Sequence, residues 1–139
     1  MSFREKSAWV MGALMAAAGL FYLSMVLAVS QRTGWAMPSI AILVPFTLLV
    51  VIVSVVAQTT MAILTPKEAV APADERERPL LDRAGHWSGM ALAAGAVTAL
   101  LGFVWHQNGV LLFHMIMGSL ILAQIAEYGL QIALIRRSS

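Results

Sequence analysis

Apolar residues run along the chain in four long blocks, at about residues 9–29, 39–64, 87–105 and 110–135, separated by polar and turn-forming residues. A hydrocarbon core about 30 Å thick is crossed by about 20 helical residues, and each block has roughly that length. Inside lipid every backbone amide must be paired within its own segment. None of the blocks shows the dyad alternation of a barrel strand, so all four are predicted to be helices. The expected fold class is all-α, an integral membrane bundle of four transmembrane helices forming one domain. Residues 30–38 and 106–109 are short connections, which predicts two antiparallel hairpins, first with second and third with fourth. Residues 65–85 form the longer loop between them.

Composition agrees with this pattern. Of 139 residues, 60% are hydrophobic and 12% charged, about half the charged share of a soluble domain, which leaves too little polar surface to cover a core. Disorder, a secreted disulfide scaffold and nucleic-acid binding are excluded on the same ground. The chain has no cysteine, hence no thiol nucleophile or thiolate metal site. A net charge of +2 belongs to cations dispersed among apolar runs rather than gathered into a phosphate-binding face.

Where the cations fall predicts orientation. Arg4 and Lys6 precede the first helix, Lys67, Arg76, Arg78 and Arg83 lie between the second and third, and Arg136 and Arg137 follow the fourth. Arg32 alone lies on the other side, so both termini and the long loop are expected in the cytoplasm, with the protein in a bacterial inner membrane. Trp9, Trp35, Trp87 and Trp105 fall at the expected interfaces, where indole rings are favoured. The first block is longer than the apolar region of a signal peptide, so it reads as a retained helix. In the loop, Pro66, Pro72 and Pro79 prevent one continuous helix, and Asp74, Glu75, Arg76, Glu77 and Arg78 alternate in charge as a solvated turn or short helix does. Pro79 suits the first turn of a helix running through Leu80, Leu81, Asp82 and Arg83 into the third span.

Small residues at Ala8, Gly12, Ala16 and Gly19 recur 77 positions later as Gly85, Gly89, Ala93 and Ala96. Spacings of four, four and three place each set on one helix face, where two backbones approach closely within the bundle or between copies. Duplication of a helical hairpin, with parallel repeats, would produce such an echo.

Glu127 is the one acid inside an expected span. It lies nine positions before Arg136, about 13 Å into the bilayer at 1.5 Å per residue. A carboxylate there is costly unless protonation, a partner such as Lys67, or a wet cavity relieves it. Gln124 and Gln131 share its helix face, and Gln58, nine positions before Lys67, is expected at similar depth with Thr60 beside it. The expected polar layer is therefore Gln58, Thr60, Gln124, Glu127 and Gln131. It serves either as hydrogen-bonding glue or as a proton, ion or ligand site.

His86 and His106 bracket the third span about 30 Å apart, too far to share one haem iron. His106 and His114 lie at one end across a tight turn, but two ligands without a carboxylate or thiolate make a poor metal site. Pro45 is expected to kink the second helix. No Walker loop, dinucleotide fingerprint, HExxH motif or serine triad is present.

Three stretches, Phe3 to Trp9, the Pro66-Lys67-Glu68-Ala69 and Ala71-Pro72-Ala73-Asp74-Glu75-Arg76 loop, and Tyr128-Gly129-Leu130-Gln131-Ile132 before Arg136 and Arg137, resemble a family of small bacterial and archaeal membrane proteins defined only as a domain of unknown function. In that family the Asp-Glu-Arg run leads directly into an aliphatic pair, whereas here Pro79 precedes Leu80 and Leu81. The resemblance implies a four-helix membrane protein and supplies no reaction. It is also similar to small membrane proteins that restrain a cytoplasmic transcription regulator, which makes Asp74 to Arg78 a docking surface by implication. The function expected is a non-enzymatic interaction or regulatory component, without cofactor or metal, forming a homo-oligomer, a dimer above all, with a cytoplasmic protein partner. The alternatives are a small oligomeric transporter or proton-coupled carrier using Glu127 and, third, a haem or metal carrier.

Overall fold

The computed structural model describes residues 3–34, 40–66, 75 and 77–138. They form four helices, α1 (Phe3–Thr33), α2 (Ile40–Leu64), α3 (Glu77–His106) and α4 (Gly109–Ser138), and there is no strand among the described residues. All four are long and apolar enough to cross a membrane, with mean hydropathies of 2.0, 2.4, 1.7 and 1.9 over their most apolar windows. The fold is thus an all-α, four-helix arrangement of the multi-pass membrane type.

Helices α1 and α3 run well past the apolar blocks that predict them, and α4 by a few residues, because a helix does not end where the bilayer does. Helix α3 begins at Glu77 and continues unbroken through Leu80 to Arg83 into its apolar stretch. Pro79 is tolerated there because first-turn amides have no intrahelical acceptor. Glu77 suits the positive end of the helix dipole, as Arg136 and Arg137 suit the negative end of α4. Gly34, at φ 77°, ends α1, and its amide bonds the Ser30 carbonyl at 3.0 Å. Between α3 and α4, Gln107 takes φ 51°, and Asn108 Oδ1 caps α4 by accepting from the amides of Val110 at 3.0 Å and Leu111 at 3.1 Å. Helix α2 continues through Pro45.

Packing follows the order α2, α1, α4, α3. The widest contact is α3 on α4, the next α1 on α4, and α2 meets only α1 to any extent among the described residues. Helix α4 runs antiparallel to α1, with Glu5 beside Arg136, Gly12 beside Tyr128, Gly19 beside Ile121 and Tyr22 beside His114. It is also antiparallel to α3, with Ser88 beside Glu127, Gly95 against Ser119 and Gly102 beside Met115. Phe21 stacks on Phe46 of α2 with centroids 5.8 Å apart.

The buried set among the described residues is short, and half of it is small residues: Ala8, Ala84, Ser88, Ala99 and Ala123 join Glu5, Met11, Tyr22, Val26 and Ile135. Lipid is as apolar as leucine, so exposed aliphatic side chains gain little by turning inward, and close backbone approach supplies the packing instead. On α1 the contact stripe Glu5, Ala8, Gly12, Gly19, Tyr22 and Val26 follows seven-residue spacing. On α3 it is Ala84, Ser88, Gly95, Ala99 and Gly102. At the end carrying both termini, Arg136 Nε bonds Glu5 Oε1 at 2.9 Å and its guanidinium lies 5.4 Å from the Trp9 ring centroid, while Arg4 approaches Glu77 at 3.6 Å. These contacts tie the ends of α1, α3 and α4 together.

Candidate functional site

Glu127 reaches α3 from its position on α4. Its Oε2 lies 3.3 Å from Ser88 Oγ, and Gln131 Nε2 donates to its Oε1 across one helical turn at 3.4 Å. Ser88 Oγ also lies 3.0 Å from the Gly85 carbonyl, so its single proton serves one acceptor at a time. This group is half-buried, apart from Ser88, which is buried.

The remaining members of the expected layer sit elsewhere. Gln58 exchanges hydrogen bonds of 2.9 and 3.1 Å with Ser7 of α1, while Thr60 and Gln124 are exposed. The structure therefore divides the layer into a Ser7–Gln58 pair joining α1 and α2 and a Ser88–Glu127–Gln131 group joining α3 and α4. Counting residues gives depth, but it does not give the direction a side chain takes around the helix axis. Ser7 and Ser88 carry no sequence signal beyond being hydroxyls on the helices that face these polar groups. Lys67, the cation expected to answer Glu127, lies outside the described residues.

The small-residue faces also part company. Ala8 is 2% exposed, and a Cβ built on Gly12 would lie 3.3 Å from Tyr128 Cβ, so this part of the α1 series packs on α4. Ala16 lines a groove beside that contact. On α3, Gly85 and Gly89 have nothing within 4 Å of a built Cβ and Ala93 is exposed, so among the described residues this series is not a packing face. The tight approach on α3 is at Gly95, where a Cβ would fall 2.6 Å from Ser119 Cβ.

His114 meets α1. Tyr22 Oη and His114 Nδ1 are 2.8 Å apart, and the rings lie 6.1 Å apart at 52°. His106, the neighbour expected from the tight turn, is exposed. Tyr22 was legible only as a phenol within an apolar helix, a group that needs a partner when buried. No cluster of three His, Asp or Glu side chains is placed to hold a metal among the described residues.

Of the charged run, Glu75 is exposed in a turn, and Asp74 and Arg76 lie outside the described residues. Glu77 and Arg78 belong to the first turn of α3 rather than to a loop, and Glu77 faces Arg4. A comparison of the chain with protein-family models, curated proteins and solved structures gives no match in any of the three.

Proposed function

We propose that this chain is a non-enzymatic component of a bacterial inner membrane that acts by association. It forms a homodimer through α3, with both termini and residues 65–85 facing the cytoplasm and a protein partner there. The observation that carries this reading is the open space beside Gly85 and Gly89 on an apolar helix whose own packing stripe is already occupied by α4. Close backbone approach is what drives helix association in lipid, and this face permits it. Orientation rests on the cation bias, and membership of the domain-of-unknown-function family rests on the motifs at the two ends and in the loop. The use of Ser7, Gln58, Ser88 and Gln131 in contacts between or along helices supports a scaffold over a carrier.

Light scattering of the full chain in mild detergent is expected to give a dimer, and Gly89→Leu a monomer. A dimer unchanged by Gly89→Leu removes this face from the proposal. A solute flux in proteoliposomes abolished by Glu127→Gln would replace the reading with a carrier.

A further inference from the structure

A groove of about 540 Å³ opens between α1 and α4 toward the end away from the termini. Its size lies within the range of small-molecule sites, about 300–1,000 Å³. Ala16, Gly19 and Leu23 of α1 and Gly118, Leu122 and Ile125 of α4 give it apolar walls, and none of its lining residues carries a carboxylate, ammonium or guanidinium. The Tyr22 hydroxyl and the His114 ring are its polar features. His114 stands five residues into α4, about 8 Å from the helix start at 1.5 Å per residue, and also borders a second cavity of about 270 Å³ beside Asn108 and Leu111. The polar pair thus lies in the part of the groove nearest the membrane surface, with Val26 of α1 one turn further out, and the walls on the other side of it are hydrocarbon.

This layout discriminates among the molecules a bilayer holds. An acyl chain alone has no use for a phenol and an imidazole. A phospholipid head would bring a phosphate to walls without a cation. A neutral head bearing a carbonyl oxygen accepts a hydrogen bond from either Tyr22 or His114, and its apolar tail lies along the walls. From this we infer that the groove binds an uncharged, single-tailed bilayer lipophile with a carbonyl-bearing head, the chemistry of a prenyl quinone, through Tyr22 and His114. The inference is independent of the proposed α3 dimer, since neither Gly85 nor Gly89 lines the groove.

Gly118 supplies the test. A Cβ there meets nothing within 4 Å, so Gly118→Leu fills the groove without forcing the helices apart. Gly129, on the same helix and equally open, is the control position. The full chain in nanodiscs is titrated with decylubiquinone, with binding followed by quenching of intrinsic fluorescence and by the rise in melting temperature. Saturable binding is expected, weakened at least tenfold by Gly118→Leu and about fivefold by Tyr22→Phe, and unchanged in Gly129→Leu. Leu122→Trp, which enlarges an exposed wall residue, repeats the filling test if Gly118→Leu melts early without ligand. Equal binding of a tail-only alkane, non-saturable partitioning, or wild-type affinity in both filled variants overturns the inference.

Discussion

Helices α1 and α3 carry similar series of small residues 77 positions apart, and the chain uses them differently. On α1, Ala8 is buried and Gly12 lies against Tyr128. On α3, Gly85 and Gly89 face open space, and contact with α4 falls to the adjacent stripe of Ala84, Ser88, Gly95 and Ala99. One residue is about 100° of rotation on an α-helix, so stripes beginning at 84 and at 85 look in different directions. A small-residue series therefore permits close approach without naming the partner. The neighbouring positions decide that, by offering the partner helix a second stripe that fits better.

The largest effect separates the two stripes of α3. Gly95→Leu drives a side chain into Ser119 and is expected to cost about 1–3 kcal/mol, the usual range for overpacking. Gly89→Leu, measured at a dilution where the chain is monomeric, is expected to stay within about 0.5 kcal/mol, as surface changes do. Thermal unfolding in one detergent compares them, and equal losses would break the distinction between the stripes.

A smaller change compares the echo positions directly. Gly12→Ala places a methyl 3.3 Å from Tyr128 Cβ, an atom held close to its backbone, and is expected to cost about 1 kcal/mol, the low end of overpacking. Gly89→Ala meets nothing and is expected to be neutral or slightly stabilising. Its gain stays small because the separated helices of a membrane protein remain helical, so little unfolded-state entropy is removed. A loss at Gly89 as large as at Gly12 in the monomer would mean that the two faces are equivalent after all.

The four helices were legible because membrane spanning is a property of length and apolarity along one dimension. Their ends were less so: Glu77 and Arg78 read as part of a solvated turn or short helix ahead of the span, and they open α3 itself, since the bilayer signal stops before the helix does. Glu127 stood out as an acid in an apolar run, and its depth followed from counting back to Arg136. Its partner Ser88 did not stand out, nor did Ser7 for Gln58 or Tyr22 for His114, pairs separated by 39, 51 and 92 positions. Depth is countable, whereas the rotation of each helix and its choice of neighbour depend on packing of all four.

The smallest effect concerns what the packed stripe of α3 gains from its polar member. Interhelical hydrogen bonds in membranes average about 0.6 kcal/mol and reach about 1.7, because separated helices find other partners for the same groups. Ser88→Ala is expected near that average, since its proton is divided between Glu127 and the Gly85 carbonyl. Measuring Ser88→Ala in both the native and the Glu127→Ala backgrounds isolates the shared term. Coupling of about 0.6 kcal/mol places Ser88 as a link between α3 and α4. Zero coupling assigns its hydroxyl to the Gly85 carbonyl alone and leaves the stripe held by steric fit, like its counterpart at Gly12.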